Sequence, residues 1–361
     1  MNRYTEKRIE QLRRFLTHQQ EAALLTNDVN IGYFCGFFHS EGALFITQSR
    51  VVLLVDFRYL EAARQKADCE VICFRQLFEE VGKLCEKEEI EQLHLEAAHF
   101  TIERFRLLQD RLASCCVSPC TDGKLDDCIA GIRIVKDASE LNKIKTAQTI
   151  AEKAYLELLN DVKIGISERE LAARLQFYML QRGAEDISFD LITISGKKTS
   201  LPHGVPSDNC VCEGDFFTCD FGAVYEGYHS DTTRTIAIRH ASEEMTQIYE
   251  TVLRAQLAAL TRIKPGVLCC EIDKTARDII TEAGYGEYFG HSTGHGVGLN
   301  IHEKPYVSQK SNTVLQPGMV ITDEPGIYLP NRFGVRIEDM LCVTEEGYDN
   351  FVSLPKKLII I

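Results

Sequence analysis

The chain has 361 residues, of which 45% are hydrophobic and 26% charged, a composition typical of a globular protein long enough for two domains. Its formal net charge is -13 and it has no basic cluster, which argues against nucleic acid and anionic membranes as partners. The start of the sequence is too charged for a signal peptide, no apolar run could span a bilayer, and the 14 cysteines favour a reducing compartment, so we expect a cytoplasmic protein.

The first third of the sequence alternates between helical and extended patterns. A helical spacing of apolar residues covers 4–20, and a strand pattern follows at 22–25. The remaining elements are predicted as a hairpin at 42–47 and 51–55, helices at 59–67, 77–88 and 102–112, and strands at 70–74 and 92–96. This alternation of strands and helices predicts an α/β domain, which we place at residues 1–128.

The second domain, placed at residues 129–361, contains an internal repeat. A capping-box sequence, Asp137-Ala-Ser-Glu140, starts a long amphipathic helix near its beginning. Farther on, two Lys-x-Gly segments at 163–165 and 264–266 each precede a predicted helix that ends at a matching glycine, Gly183 or Gly284. Two short matches can arise by chance, but the shared order of elements and the equal spacing favour duplication. Two such halves would enclose a cleft suited to a binding site.

A β-hairpin that carries two acidic residues is predicted at residues 217–235. Aromatic and β-branched residues supply the strands, and Glu226-Gly227 supplies the turn. Asp is a poor strand residue, yet Asp220 and Asp231 lie one in each arm. Two buried carboxylates repel each other unless they are protonated or neutralised by a cation. The alternative, one solvated acid and one turn acid, is equally compatible with this stretch taken alone.

Polar residues also interrupt apolar patterns in the second half of this domain. A glycine-rich segment holds His291, His295 and His302, and Glu324 and Glu338 lie in or beside strand patterns. Taken singly, each has an ordinary explanation as a solvated strand residue or a hydrogen-bonded histidine. Taken together, His295, the two glutamates and the two hairpin aspartates form an oxygen-rich set. Such a set suits two divalent cations, such as Mn²⁺ or Co²⁺, better than it suits structural zinc.

Four motifs resemble those of a known family. They are Asp-Phe-Gly with Ser-Asp-Thr-Thr-Arg in the hairpin, His-x-x-Gly-His-Gly-x-Gly at 291–298, Glu-Pro-Gly-Ile-Tyr at 324–328 and Arg-Ile-Glu-Asp at 336–339. They resemble the motifs of the pita-bread dinuclear metallopeptidases, family M24, which include methionine aminopeptidase, aminopeptidase P and prolidase. Residues 202–207 and the N-terminal domain are similar to the Xaa-Pro branch. The resemblance implies an α/β (α+β) chain, with a creatinase-like N-terminal α/β domain followed by a pita-bread domain with an internal pseudo-twofold repeat.

The resemblance also implies a role for each site residue. Asp220 would chelate one metal, His295 and Glu324 the other, and Asp231 and Glu338 would bridge them. Two divalent ions are implied, with Mn²⁺ favoured over Co²⁺ or Zn²⁺. The residues implied in catalysis and substrate contact are Glu324 as proton shuttle, His203 and His302 as partners of the scissile carbonyl, and His291 and Arg336 as substrate-binding or ordering residues.

The function implied is hydrolysis of Xaa-Pro bonds in small peptides by a homodimer, with a hydroxide between the metals as nucleophile. Methionine aminopeptidase, a creatinase-like metal-free hydrolase and a binding module on the same fold are the alternatives. Within the Xaa-Pro branch the sequence leaves dipeptidase and aminopeptidase open. A dipeptidase must bind the free carboxylate of proline, for which Arg336, Arg332 and His291 are candidates.

Overall fold

The computed structural model describes residues 3–38, 41–113 and 115–361. The chain divides into two compact units, Met1–Arg133 and Ile134–Ile361. None of the described helices is both long enough and apolar enough to cross a membrane.

Unit 1 is an α/β domain. Its helices are α1 (Arg3–Arg13), α2 (Asp28–Cys35), α3 (Leu60–Lys66), α4 (Leu77–Lys87), α5 (Ile102–Leu112) and α6 (Lys124–Arg133). Its strands are β1 (Glu21–Leu25), β2 (Gly42–Ile46), β3 (Val51–Val55), β4 (Glu70–Cys73), β5 (Gln92–Leu95) and β6 (Ser118–Cys120). Within the described residues the strands form one sheet in the order β4-β3-β2-β1-β5-β6. The pairs β3–β4, β1–β5 and β5–β6 are parallel, and β2 is antiparallel to both of its neighbours.

The predicted hairpin of unit 1 is confirmed as β2–β3, but three helices differ from the sequence prediction. Helix α1 ends at Arg13, well short of the predicted 4–20. Helix α2 was not predicted because its residues are buried almost all round and include Gly32, so the sequence shows neither an amphipathic period nor a strong helix propensity. Helix α6 was not predicted either, and the predicted domain boundary at 128/129 falls inside it.

Unit 2 is built from helix pairs and small sheets. Its helices are α7 (Ala138–Leu158), α8 (Glu168–Gln181), α9 (Glu243–Arg262) and α10 (Cys269–Glu282), with 3-10 turns at Gly196–Ser200 and Gly286–Tyr288. The strands of its first half are β7 (Asp186–Ile187), β8 (Ile192–Ser195), β9 (Phe216–Phe221), β10 (Ala223–Tyr225), β11 (Tyr228–His229) and β12 (Thr232–Ala237). Those of its second half are β13 (Gly294–Gly296), β14 (Glu303–Val307), β15 (Val320–Asp323), β16 (Gly326–Leu329), β17 (Phe333–Arg336), β18 (Asp339–Val343) and β19 (Tyr348–Asn350).

The predicted repeat of unit 2 is confirmed. In the first half a helix of 21 residues, α7, is followed by one of 14 residues, α8, and then by strands. In the second half the lengths are 20 residues for α9 and 14 for α10, again followed by strands. The paired glycines also match, since Gly183 and Gly284 both have a positive φ, near 94° and 87°. The capping box at the start of α7 forms as predicted, with Asp137 and Glu140 each bonding the other's backbone N–H.

Each half of unit 2 contains one main antiparallel sheet. Strands β12, β9 and β8 form an antiparallel sheet in the first half, and β14, β13, β15, β18 and β19 form one in the second. An apolar cluster that includes Val252 of α9, Ile272 of α10 and Ile321 of β15 packs the second-half helices against these strands.

Candidate metal centre and active site

The acidic hairpin of the first half buries both of its aspartates. Strands β9 and β12 pair in register, with Asp220 opposite Thr233, and Asp231 lies directly before β12. Asp220 is 8% and Asp231 4% exposed, so the alternative of one solvated acid and one turn acid is wrong. The turn forms at Glu226-Gly227 as predicted, with both φ angles positive. Between the arms Gly222 lies so close to Ser230 that a Cβ would meet its carbonyl oxygen at 1.8 Å.

The second half contributes three more side chains that could bind a metal, and they lie close to the hairpin aspartates. His295 lies on β13, Glu324 follows β15, and Glu338 lies between β17 and β18. The Nε2 atom of His295 is 3.4 Å from an Asp231 carboxylate oxygen and 3.5 Å from one of Glu324. Potential ligand atoms of Asp231, His295 and Glu338 all lie within 4.8 Å of one another. The backbone joins the halves here too, since the N–H of Glu338 donates to the carbonyl of Thr233.

The electrostatics of this cluster fit divalent cations. Burial, followed by the neighbouring carboxylates, raises the pKa of Asp231 and of Glu338 well above the usual value. Burial likewise raises the pKa of Glu324. Among the described side chains, the buried oxygens Asp220 Oδ1 and Glu338 Oε1 have no hydrogen-bond partner. A divalent cation bound beside such buried carboxylate oxygens would supply the charge compensation that they lack from hydrogen-bond donors.

Arg336 organises the cluster from one side. It is 4% exposed, and its Nη2 donates to Asp220 at 2.5 Å, while Nε donates to the Thr233 hydroxyl and Nη1 to Tyr328 and the Pro202 carbonyl. The Thr233 hydroxyl in turn donates to Glu338 at 2.7 Å. Thr233 and Tyr328 were not predicted as site residues. Both residues lie inside the motifs quoted above, which could have indicated a role in the site. A single hydroxyl-bearing residue in an apolar strand, however, forms no sequence pattern that predicts such a role.

The three candidates for binding a proline carboxylate differ in how far they are already engaged. The guanidinium of Arg336 is committed to the contacts just described. His291 uses Nδ1 with the Ser292 carbonyl and Nε2 with the Tyr328 hydroxyl, and burial together with Arg336 lowers the pKa of His291 to about 4. Its imidazole is therefore neutral near pH 7. Arg332 forms an exposed ion pair with Glu244.

Nine predicted site residues line one cavity of about 990 Å³, whereas the candidate Arg332 does not line it. They are Asp220, Asp231, His295, Glu324, Glu338, His203, His302, His291 and Arg336. His203 and His302 are exposed at the surface of this cavity, and the ring of His302 lies edge-on to that of His295 at 4.3 Å. Apolar residues, among them Phe189, Val205 and Tyr306, line the same space. A polar cluster within partly apolar walls is the usual form of a small-molecule site.

Comparison with known proteins assigns this architecture. Residues 142–345 match metallopeptidase family M24, and residues 8–135 match the creatinase/prolidase N-terminal domain. The chain belongs to metallopeptidase family M24. The predicted family, fold and enzyme class are thus confirmed. An M24 relative, the Xaa-Pro dipeptidase of Pyrococcus furiosus, is 37% identical over 356 residues, covering 98% of this chain and 100% of that protein.

Two solved M24 structures are similar over nearly their full length. The Xaa-Pro dipeptidase from Bacillus anthracis shares 40% identity with a TM-score of 0.93, covering 99% of this chain and 100% of that one. The X-Pro aminopeptidase from Thermotoga maritima shares 36% identity with a TM-score of 0.88, covering 94% and 97%. M24 relatives named for each of the two specificities are therefore similar to this chain to a comparable degree.

Proposed function

We propose that this M24 chain is an Xaa-Pro peptidase that uses two divalent metal ions to hydrolyse the bond before proline in small peptides. One observation carries the proposal. Buried carboxylates from both halves converge with His295 in a cavity that His203 and His302 also line. The similarity to Xaa-Pro dipeptidases and the match to the creatinase/prolidase N-terminal domain both favour the Xaa-Pro branch over methionine aminopeptidase.

The residues that would hold the metals are Asp220, Asp231, His295, Glu324 and Glu338. We propose Mn²⁺ as the native ion, with Co²⁺ and Zn²⁺ as alternatives, because a set of carboxylates with one imidazole suits such cations. When bound, two such ions supply Lewis acidity and a water acidified enough to attack a carbonyl near neutral pH. Arg336 and Thr233 keep the carboxylates of Asp220 and Glu338 in their places.

The other site residues would act on the substrate. His203 and His302, exposed in the cavity, donate to the scissile carbonyl oxygen as negative charge develops there. Glu324 carries a proton to the proline nitrogen, which leaves poorly without one. A bond before proline has no N–H for ordinary peptidases to bind, so a site that works through the carbonyl and the leaving nitrogen suits this substrate.

The decisive assay compares Ala-Pro, Ala-Pro-Ala and Met-Ala-Ala with purified protein and Mn²⁺. The proposal predicts metal-dependent hydrolysis of at least one proline peptide and none of Met-Ala-Ala. Hydrolysis of Ala-Pro but not Ala-Pro-Ala makes the enzyme a dipeptidase, and hydrolysis of Ala-Pro-Ala makes it an aminopeptidase. Preferential hydrolysis of Met-Ala-Ala, or proline-peptide hydrolysis that survives removal of all metal, would contradict the proposal.

Two further properties belong to the proposal. We expect a homodimer, as the family resemblance implies, and light scattering on the purified protein would measure it. We also expect a cytoplasmic protein, because 14 cysteines suit a reducing compartment. Localisation of a tagged chain by cell fractionation tests this second expectation.

A further inference from the structure

The loop that carries His203 lies at the surface yet has to present an imidazole at a defined point. Leu201, His203 and Val205 are exposed, and the loop runs from the 3-10 turn Gly196–Ser200 to residue 209. The imidazole of His203 lines the cavity. A loop with so little apolar burial needs polar contacts to fix its position.

Those contacts converge on Glu168, the first residue of α8, which is completely buried. Its Oε1 accepts from the Ser195 N–H at 2.9 Å and from the Asn209 amide at 3.0 Å. Its Oε2 accepts from Lys198 Nζ at 2.6 Å and from both the N–H and the hydroxyl of Ser207 at 3.0 Å. Both ends of the His203 loop are thus tied to a single carboxylate.

Lys198 extends this anchor to within two residues of His203. Its Nζ, besides pairing with Glu168, donates to the Val205 carbonyl at 2.6 Å and to the Ser207 hydroxyl. The start of α8 adds backbone contacts, because the N–H groups of Glu168 and Arg169 donate to loop carbonyls at residues 209 and 207. The loop also packs tightly, since a Cβ on Gly204 would lie 2.7 Å from Ile194.

The charge on Glu168 is held by its surroundings. Burial by itself would raise the pKa of Glu168, but hydrogen bonds from Lys198 and Asn209 outweigh it and lower the pKa overall. The helix N-terminus at Ser167 also favours a carboxylate at this position. A buried and fully hydrogen-bonded charge is often no more stabilising than apolar packing, so the role that we consider for Glu168 is to set the position of the loop residues that donate to it.

We propose that Glu168 is a positioning residue of the peptidase, which through Lys198 and Ser207 fixes the loop that presents His203 to the substrate carbonyl. The inference rests on the proposed function for its kinetic part and on the loop contacts for its structural part. Glu168 acts through His203 and does not itself touch the substrate.

The kinetic test uses Glu168→Gln, which keeps the shape but replaces one acceptor oxygen by a donor facing other donors. We expect kcat for a proline peptide to fall about tenfold or more, because small misplacements of catalytic groups cost up to about 10²-fold, with little change in KM. In a His203→Ala background the same substitution should have no further effect. The matched control is Glu170→Gln on the same helix, whose exposed carboxylate pairs with Arg174. Wild-type kcat in Glu168→Gln, or a full additional loss in the His203→Ala background, would overturn the proposal.

Hydrogen–deuterium exchange gives a readout that does not depend on activity. Residues 201–209 should exchange faster in Glu168→Gln than in Glu170→Gln, while α10 is unchanged. If Glu168→Gln does not fold, the test uses Ser207→Ala, which removes only the loop hydroxyl. In this variant residues 201–209 should also exchange faster, and kcat should fall by a smaller factor. Unchanged exchange in the folded variant overturns the inference. A wild-type protein without peptidase activity would instead overturn the proposed function and leave the exchange result to stand.

Discussion

The two halves of unit 2 have matching pairs of helices, but they contribute different residues to the proposed metal site. Each half has a long helix followed by a helix of 14 residues and then strands. The first half contributes Asp220 and Asp231 from one hairpin. The second half contributes His295 from β13, Glu324 from the residue after β15 and Glu338 from the connection between β17 and β18. The same helical scaffold therefore occurs twice, and the proposed set of metal ligands is complete only when residues of both halves are combined. Neither half of unit 2 contains the whole proposed site.

The second helix of each pair also holds a histidine segment of its own half through a buried carboxylate. On α8, Glu168 binds the His203 loop. On α10, Asp273 accepts from the N–H and hydroxyl of Thr293, and Arg277 donates to the carbonyl of His291. The two acids do not coincide in the repeat, where Glu168 aligns with Cys269. The same task is thus performed from different positions in the two halves.

Removing one proposed metal ligand from either half should have the largest effect. Asp231→Asn and Glu338→Gln should each lower kcat/KM by at least about 10³-fold, since even outer-shell losses cost about 10–100-fold in metal sites. Kinetics with added Mn²⁺ and metal analysis of the purified variants measure this. Asp190→Asn, an exposed acid that lines the same cavity, should keep its metal. Full metal content in either ligand variant would show that one half suffices.

The exposed histidines of the two halves should have the next largest effect. His203→Ala and His302→Ala should each lower kcat by about 10²–10³-fold, as loss of one donor to a developing oxyanion does. Bound metal should be unchanged in both. His240→Ala, an exposed histidine of the first half, is the control. A large loss of kcat in one variant with none in the other would show that only one of the two histidines acts on the scissile carbonyl.

The anchor on α10 should matter less than the histidines. Asp273→Asn weakens the contacts to Thr293 and Arg277, and we expect a fall in kcat/KM of about tenfold, the lower range for residues that orient others. The loss should be absent in a His291→Ala background if the anchor acts through that residue. Asp278→Asn, from an exposed pair with Lys274 on the same helix, serves as control. Additive losses would separate the anchor from His291.

The smallest effect concerns stability without metal. The pKa of Asp231 is raised in the folded state. The contribution of this side chain to the free energy of unfolding is therefore fully present below its unfolded pKa of about 4, and it is lost as the pH rises toward the folded pKa. Metal-free Asp231→Asn should therefore melt above the wild type at pH 8, by about 2–4 °C for each 1 kcal/mol of relieved repulsion. Calorimetry with chelator from pH 4 to 8 measures both. A lower melting temperature for the variant at pH 8 would contradict the repulsion.

Sequence reasoning predicted most elements, the repeat and the family, because amphipathic periods, caps and motifs are local signals. The sequence did not reveal α2, whose residues are buried on nearly all sides and so show no amphipathic period, nor α6, and it predicted α1 to extend beyond Arg13. Nine of the residues that line the cavity were predicted from motifs, but Glu168 was not, because its sequence context is that of an ordinary helix start. Its partners lie 27 to 41 positions away, a distance that no local pattern encodes.

The most direct test is a titration of metal-free protein with Mn²⁺, following binding by calorimetry and proline-peptide hydrolysis in parallel. A site completed by both halves predicts two ions per chain, hydrolysis that appears with them, and the loss of both in Asp231→Asn and in Glu338→Gln alike. Full hydrolysis by protein shown to be free of metal would contradict it.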